Sequence, residues 1–454
     1  MHDTHPPAPM RSTGRILVLS ALLFLCSQAC AQKTPPMGWN SFSCYGASVT
    51  EQEVKANADM MAAHLREYGW QYIVVDFCWF YPHSGAMGTP SQNSEYHPPL
   101  TMDEFGRLLP AVDKFPSAAG GNGFKSLADY VHGKGLRFGI HVMRGIPRQA
   151  YARNTPILGT NRTAGEIGNP ASICSWLDLM YGVDCTREGA QQYYTSLVDL
   201  YAAWGVDYLK VDDISMPYRA LEIEAVRQAI VQCGREIVLS LSPGPTPPEQ
   251  AGHVVRYANL WRISADFWDY WDALKRQFEQ CNIWSRHQTR EHWPDADLLP
   301  IGRLNRRGPN QGLERESNFT EPEKRTLLTL WCIFRSPLMV GGDLTCLTTE
   351  NKRLLTNKEV LEVNQNSLNN RQLFRTERHV AWSANAPGSK DVYLALFNIG
   401  ESEDQIAVKL DELGLREECR AKDLWEGKET DPFSGIFTQR IVPHGAGLYR
   451  LHMN

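Results

Sequence analysis

The chain has 454 residues, of which 43% are hydrophobic and 21% charged. This composition is typical of a globular protein that can bury a large core, and it excludes a disordered, collagen-like or disulfide-scaffold chain. The formal charge is −5, from 46 basic and 51 acidic residues. Because no basic tract is present, the sequence predicts no nucleic-acid partner. The length fits one (β/α)8 barrel, which takes about 250 residues or more, and one smaller domain.

Residues 1–31 have the features of an export signal. Arg11 and Arg15 precede an apolar run at 16–26, and residues 29–31 offer a small-residue cleavage pattern of the kind that signal peptidase cuts. The apolar run of eleven residues is too short to span a bilayer, which takes about 20. We therefore expect an exported protein, periplasmic or secreted, with no membrane span.

Removal of this signal would leave nine of the eleven cysteines. Lipidation of Cys26 or Cys30 is an alternative, but the flanking residues fit that modification poorly. Exported proteins can hold disulfides, although sequence alone leaves their connectivity open. The first pairs to consider are Cys44 with Cys78 and Cys174 with Cys185. No cysteine or histidine spacing typical of zinc occurs, so no structural metal is predicted.

The middle of the chain alternates short apolar runs with amphipathic segments. The apolar runs are rich in β-forming residues and predict five strands, at 72–76, 136–143, 208–212, 237–242 and 257–262. The amphipathic segments predict helices at 51–68, 124–134, 188–204, 219–233 and 322–335. Strands at 37–40, near Trp293 and at 337–340 bring the number to eight. We therefore predict an α/β fold, a closed (β/α)8 TIM barrel. No GxGxxG motif points to a dinucleotide-binding sheet.

The sequence changes character from about residue 370. Helical periodicity largely ends, and short strands separated by turn signals are predicted at 380–383, 392–398, 405–410 and 447–451. This pattern predicts a C-terminal antiparallel β-sandwich. The expected organisation is a signal peptide at 1–31, a catalytic barrel at 32–366 and the β-sandwich at 367–454. We expect the sandwich to cover the barrel, with sugar binding as the alternative.

Carboxylates follow several of the predicted barrel strands, and the chemistry of such barrels lies at the carboxyl ends of the strands. A charge at the end of a buried strand must be paired or used in function, and Lys210 and Arg262 are the obvious cationic partners. Two carboxylates at a barrel mouth are the minimum equipment for glycoside hydrolysis. The acids concerned are Asp76, Asp212, Asp213, Asp266, Asp295 and Asp297, and the nearby tryptophans are Trp39, Trp79, Trp261 and Trp293.

Seven motifs in chain order resemble glycoside hydrolase family 27, the family of α-galactosidases and α-N-acetylgalactosaminidases. They lie at 37–41 (MGWNS), 75–79 (VDFCW), 205–212 (GVDYLKVD), 261–266, 293–299 (WPDADLL), 336–344 and 360–365. The resemblance covers about residues 35 to 366. It implies a barrel with a C-terminal β-sandwich and a retaining double displacement without metal or other cofactor.

The resemblance also implies roles for individual residues. Asp212 matches the family's nucleophile and Asp266 its general acid/base. Asp212 must then be ionised before the reaction, and Asp266 must carry a proton. Arg262 and Asp297 match sugar-contacting positions, and Asp76 matches the first of two acids that hold the O4/O6 edge of galactose.

Several positions depart from the family pattern. Phe77 replaces the second galactose-holding acid, and His141 stands where a tyrosine usually contacts the sugar. Ser242 belongs to the segment 240–243, which replaces the family segment whose side chains normally contact the O2 hydroxyl of the sugar. Asp213 follows the nucleophile where the family has Gly or Asn. Phe42 stands where a Trp is common. The candidate substrate-binding residues are therefore Trp39, Asp76, Phe77, His141, Lys210, Asp213, Ser242, Arg262 and Asp297.

We therefore expect an exo-acting α-galactosidase, acting on galactoside-containing oligo- or polysaccharides. Because of these departures, an alternative is that the enzyme uses the same mechanism on a related sugar: a β-L-arabinopyranoside, an α-N-acetylgalactosaminide or an α-glucoside. One further alternative is a metal-dependent hydrolase that holds a divalent metal with Asp76, Asp212, Asp213, Asp297 and His141. Another is a carbohydrate-binding protein without catalysis. The sequence does not determine the oligomeric state.

Overall fold

The computed structural model describes residues 1–2, 34–82, 99–307 and 313–453. The predicted export signal lies, beyond its first two residues, outside the described residues and stays a prediction. Among the helices that the structure describes, none is long and apolar enough to cross a membrane.

Eight parallel strands form the first sheet of the molecule, as predicted. The strands are β1 (Met37–Asn40), β2 (Tyr72–Val75), β3 (Arg137–Met143), β4 (Tyr208–Asp212), β5 (Val238–Leu241), β6 (Leu260–Arg262), β7 (Trp293–Asp295) and β8 (Leu338–Val340). Each strand hydrogen-bonds to the next in chain order, from β1 to β7, and β1 also pairs with β8.

The residues that follow β7 close the barrel. Leu299 forms a parallel bridge with Val340 of β8. Its N–H donates to the Met339 carbonyl at 2.7 Å, and its own carbonyl accepts from Gly341 at 2.9 Å. The seam between β7 and β8 is therefore formed by the chain at 296–299 rather than by β7 itself.

Helices surround the strands, and local sequence signals set their ends. Thr50 and Glu53 form a capping box at the start of one helix, and Thr320 and Glu323 do so at another. Glycines with positive φ follow several helices, as at Gly205 (φ +88°). The main helices are Glu51–His64, Lys125–Gly133, Ala190–Trp204, Ala220–Gln232, Ala251–Tyr257, Trp271–Trp284, Glu321–Phe334, Thr349–Leu355 and Lys358–Asn366.

All eight predicted strands are present, but the sixth begins later than predicted. Residues up to Tyr257 belong to the helix Ala251–Tyr257, and β6 starts only at Leu260. A short apolar run fits a buried helix as well as a buried strand, so periodicity alone does not separate the two.

The long connecting segment between β3 and β4 contains a small antiparallel sheet. Its strands are Ile146–Pro147, Gly168–Ile173 and Met180–Val183. A second small sheet, after β7, is the hairpin of Arg303–Leu304 and Arg315–Glu316.

The C-terminal region forms antiparallel sheets, as predicted. The strands are β9 (Leu368–Arg375), β10 (His379–Asn385), β11 (Val392–Asn398), β12 (Asp404–Lys409), β13 (Cys419–Asp423), β14 (Ile436–Ile441) and β15 (Ala446–Met453). One sheet has five strands in the order β9, β10, β11, β15, β13, and β12 pairs with β14 in the other. A side-chain cluster that includes Leu394, Ile406 and Phe437 fills the interior between the two sheets.

The predicted disulfides do not form. All nine cysteines of the described residues are free thiols. The members of each expected pair have different surroundings: Cys44 lies near Asp343 and Cys78 near Lys114, while Cys174 lies near Asp213 and Cys185 near Glu222. Burial raises the pKa of Cys44, Cys174 and Cys185 to about 12, so these thiols stay protonated and unreactive.

Candidate active site

A cavity of about 470 Å³ opens at the carboxyl ends of the barrel strands. Residues at or after each of the first seven strands line it, which makes it a pocket and not a groove. Its ionisable lining residues are Asp76, Lys210, Asp212, Arg262, Asp266 and Asp297, and its aromatic ones are Phe42, Phe77, Trp176, Phe267 and Trp268.

Asp212, the last residue of β4, is held through both carboxylate oxygens. Its Oδ1 accepts from the Asp213 amide at 2.9 Å, and its Oδ2 lies 3.0 Å from His141 Nε2. Burial alone would raise the pKa of Asp212, but the His141 hydrogen bond and the Lys210 charge outweigh it and hold that pKa below its ordinary value. Asp212 is therefore an ionised carboxylate at the pocket wall.

Asp76 and Lys210 form a buried ion pair beside Asp212. Lys210 Nζ lies 2.9 Å from Asp76 Oδ2, and Asn40 donates to the same oxygen at 2.6 Å. Burial opposes ionisation of Asp76, yet the Lys210 charge and its hydrogen bonds hold its pKa well below its usual range. Despite burial, the Asp76 and Asp212 charges raise the pKa of Lys210 above its ordinary value. Both groups are therefore charged.

Arg262 connects the other two acids of the pocket. Its guanidinium is 2.7 Å from Asp297 Oδ2 and 3.3 Å from Asp266 Oδ1. Burial raises the pKa of Asp297, and the Arg262 charge opposes that rise. The Asp266 side chain is 55% exposed, so this carboxyl group lies at the pocket rim, where a leaving group and water can both reach it.

Four aromatic rings form a continuous wall, which we call the aromatic arc: Trp268, Phe42, Phe77 and Trp176. Consecutive ring centroids along it are 6.5, 5.9 and 6.2 Å apart. Phe77 is buried at its centre, and Trp176 and Trp268 at its ends are partly exposed. One part of the pocket is therefore apolar and the other is charged.

The structure brings seven predicted site residues to the pocket, namely Asp76, Phe77, Lys210, Asp212, Arg262, Asp266 and Asp297. The other four lie behind its wall. Trp39 is fully buried and donates from its indole to the Gly342 carbonyl. Ser242 is buried, and the next two residues, Pro243 and Gly244, line the pocket instead.

Asp213 and His141 are also outside the pocket lining. Asp213 has φ +57°, which turns its side chain away from the pocket to Arg144, at 2.9 Å. Arg144 also binds Glu222 at 2.9 Å. His141 is 1% exposed and faces Asp212.

Sequence reasoning missed Trp176 and Trp268 as pocket residues. Both lie on connecting segments, where no periodicity indicates the direction of a side chain. For Trp268, its place two residues after Asp266 was an available signal.

No group of three or more His, Cys, Asp or Glu residues that could hold a metal occurs in the described ranges. Three of the four acids of the metal alternative form ion pairs with basic side chains: Asp76 with Lys210, Asp213 with Arg144 and Asp297 with Arg262. The fourth, Asp212, is hydrogen-bonded to His141.

Comparisons with known proteins agree with this geometry. The family model described as alpha galactosidase A matches residues 179–366, and the alpha galactosidase C-terminal beta sandwich domain matches 376–451. The chain is similar to a family 27 β-L-arabinopyranosidase from Geobacillus stearothermophilus, whose crystal structure is known. The two sequences are 50% identical, the match covers 92% of this chain and 96% of the other, and the TM-score is 0.88. The chain belongs to glycoside hydrolase family 27.

Two further proteins are similar at lower sequence identity. A putative α-N-acetylgalactosaminidase from Bacillus halodurans is 45% identical over 92% of this chain and 97% of its own, with a TM-score of 0.83. The α-galactosidase of Cyamopsis tetragonoloba is 27% identical over 92% of this chain and 86% of its own. As a family 27 enzyme the protein is a glycoside hydrolase, and its substrates are carbohydrates.

Proposed function

We propose that the enzyme is a retaining exo-β-L-arabinopyranosidase that also hydrolyses α-D-galactosides, more slowly. The observation that carries this proposal is the Phe77 ring, which stands beside Asp76 in place of the family's second galactose-holding acid. The sugar differs from the galactoside expected from sequence, while the reaction is the expected one.

The two sugars differ at a single carbon. β-L-Arabinopyranose has the same ring configuration from C1 to C4 as α-D-galactopyranose, but C5 carries no hydroxymethyl group. The same nucleophile, acid and O4-binding carboxylate can therefore serve both sugars. Only the wall that faces C5 has to differ.

Phe77 makes that wall apolar. Its ring packs edge to face against Phe42, at 5.9 Å between centroids, and lies 6.2 Å from Trp176. A buried hydroxyl without a partner costs about 1–3 kcal/mol, whereas a ring CH2 group needs none. Apolar pockets reject an added hydroxyl by only about 100-fold, so we expect a preference and not an absolute choice.

The proposed mechanism is a double displacement. Ionised Asp212 attacks the anomeric carbon while Asp266, at the rim, gives a proton to the leaving oxygen. A glycosyl ester on Asp212 forms, and Asp266 then takes a proton from the water that hydrolyses it. Lys210 and Asp76 hold the sugar's O4 side, and Arg262 with Asp297 holds the side nearer Asp266.

An α-galactosidase is the second candidate. The Asp76–Lys210 pair is retained, and curated relatives at 24–28% identity bear that name. The 50% identical structure bears the name β-L-arabinopyranosidase, and this greater similarity supports the first candidate.

The test is a matched panel of nitrophenyl glycosides: β-L-arabinopyranoside, α-D-galactoside, α-N-acetylgalactosaminide and α-glucoside. We expect kcat/KM on the arabinopyranoside to exceed that on the galactoside by about 10- to 100-fold. Proton NMR of the first turnovers should detect the retained anomer.

Asp212→Ala and Asp266→Ala are the controls, and on glycosides with an unactivated leaving group each should lose at least about three orders of magnitude in kcat. A galactoside that leads the panel would favour the second candidate. Full activity of the Asp212→Ala enzyme, or release of the inverted anomer, would refute the mechanism.

A further inference from the structure

His141, on β3, contacts the nucleophile and not the pocket. It is 1% exposed, and its Nε2 lies 3.0 Å from Asp212 Oδ2. The Trp79 indole donates to its backbone carbonyl at 2.5 Å, which fixes the strand at this point. A direct contact between His141 and the sugar, as the family resemblance implies, does not fit this position.

The imidazole has one polar side-chain contact. Its Nδ1 is buried and has no hydrogen-bond partner among the described residues. An ionised Asp212 can only accept, so Nε2 must carry the proton of this hydrogen bond. The geometry therefore makes Nε2–H the donor of this hydrogen bond, and Asp212 Oδ2 the acceptor.

Phe77 closes His141 off from the pocket. The two rings pack edge to face, with centroids 5.7 Å apart, and Phe77 itself lines the cavity. Water that enters the pocket thus meets the phenyl ring before the imidazole. The two residues that depart from the family pattern, Phe77 and His141, are therefore in direct ring contact.

We propose that His141 is a positioning residue that orients Asp212 through its Nε2–H donor, under the cover of Phe77. The inference rests on the proposed role of Asp212 as nucleophile. With Oδ1 held by the Asp213 amide and Oδ2 by His141, the carboxylate plane cannot rotate freely. Attack on the anomeric carbon requires this alignment, and misplacement by about 1 Å costs on the order of 100-fold in rate.

Two substitutions of similar size distinguish the effect of losing the donor at Nε2 from the effect of reducing the volume of the side chain. In His141→Gln the amide nitrogen can take the place of Nε2, whereas in His141→Asn it can reach only the position of Nδ1. The measurements are kcat, KM and the pH profile of kcat/KM on whichever panel glycoside the wild type hydrolyses fastest. Thermal unfolding checks that both variants are folded.

We expect His141→Asn to lose about 100-fold in kcat, with KM within about threefold, and His141→Gln to stay within about tenfold of wild type. The acid limb of kcat/KM reports ionisation of the free enzyme's nucleophile. Loss of a hydrogen bond to the charged form raises the pKa of Asp212, so the limb should move to higher pH in His141→Asn and stay in place in His141→Gln.

The other groups around Asp212 are unchanged in both variants. They are Lys210 on the same strand, Asp213 after it, Arg262 on β6, Asp76 after β2 and the Cys174 thiol. A shift of the acid limb is therefore attributable to the donor at 141.

A raised KM at unchanged kcat in His141→Asn would mean that His141 binds the sugar, and would overturn the proposal. Equal losses in both variants with an unmoved acid limb would also overturn it, because they would indicate a packing role. Failure of the proposed function would be seen separately, in the wild-type panel and in Asp212→Ala.

Discussion

Adjacent acids at the end of β4 have opposite surroundings. Asp212 faces the pocket with Lys210, two residues before it, while Asp213 faces Arg144. Asp213 lies just past the strand and has a left-handed backbone conformation (φ +57°), which turns its side chain away from the pocket. Burial raises the pKa of Asp213, and the charges of Arg144 and Arg219 oppose the rise.

Phe77 offers a direct test of sugar selection at a single residue. Phe77→Asp would supply an acceptor beside Asp76 for the hydroxymethyl oxygen of galactose. We expect the ratio of kcat/KM for the α-galactoside over the β-L-arabinopyranoside to rise about tenfold or more, since a hydrogen bond to a charged group contributes about 1.5–3 kcal/mol. The measurement is the same nitrophenyl panel.

Phe77→Leu is the matched control because it replaces the ring with a smaller side chain but leaves the wall apolar. Its substrate ratio should stay within about threefold of wild type. An equal change of ratio in both variants would show that space, and not the missing acceptor, selects the sugar.

The sequence predicted the charged half of the pocket better than the apolar half. Asp76, Asp212 and Arg262 end strands whose apolar runs are readable, so their place at the mouth follows from the barrel. The direction of Asp213 was not predicted because it depends on a left-handed backbone conformation (φ +57°), and no side-chain pattern encodes that.

The segment after β6 combines two parts of the site within three residues. Asp266, the proposed proton donor, is at the rim, and Trp268 is partly exposed on the same cavity wall. The leaving group must lie near its proton donor. We therefore expect Trp268 to contact the aglycone and the sugar to bind deeper, against Asp76 and Phe77.

Trp268→Ala should raise KM for glycosides about tenfold, equivalent to about 1.4 kcal/mol, because a flat apolar contact is lost. The inhibition constant of the free monosaccharide should stay within about twofold of the wild-type value. Steady-state kinetics with free L-arabinose as inhibitor measures both quantities.

Tyr270→Ala is the control on the same segment, because Tyr270 is 56% exposed and lies outside the pocket lining. It should leave both constants unchanged. If Trp268→Ala weakens binding of the free sugar as much as binding of the glycoside, then Trp268 contacts the sugar ring and not the aglycone.

Whole elements were predicted where periodicity was strong. The strand at 392–398 has the predicted limits, and the helix at 219–233 differs from prediction by one residue at each end. The helix Trp271–Trp284 was missed, although its apolar face is regular, because it follows a loop rich in aromatic residues. The connecting segment that carries Trp176 has no repeat from which it could be predicted.

At the scale of the whole molecule, barrel and sandwich form one body. Residues Thr34–Asn454 are a single compact unit. Trp425 of the sandwich donates to Thr329 on a barrel helix at 3.0 Å, and Phe278 packs against Phe397 with ring centroids 4.9 Å apart. The C-terminal sheets cover apolar surface that the barrel would otherwise expose.

We therefore expect one unfolding transition in scanning calorimetry. Trp425→Ala removes a buried ring, which costs about 3–5 kcal/mol, and it should lower the temperature of the whole transition. Trp425→Phe, which keeps an aromatic ring, should have a smaller effect. Two separate transitions in the wild type, or a split caused by Trp425→Ala, would mean that the domains unfold independently.

The seam at 296–299 has an evolutionary consequence. Asp297 has φ +82° and contacts Arg262, and two residues later Leu299 closes the barrel. A substitution here would disturb both barrel closure and the pocket, so selection has little freedom at this edge of the mouth. Phe77 and Trp176 form none of the backbone hydrogen bonds that close the seam in the part of the chain that the structure describes. Variation in sugar preference among descendants of this enzyme should therefore accumulate along the aromatic arc, while the seam stays constant.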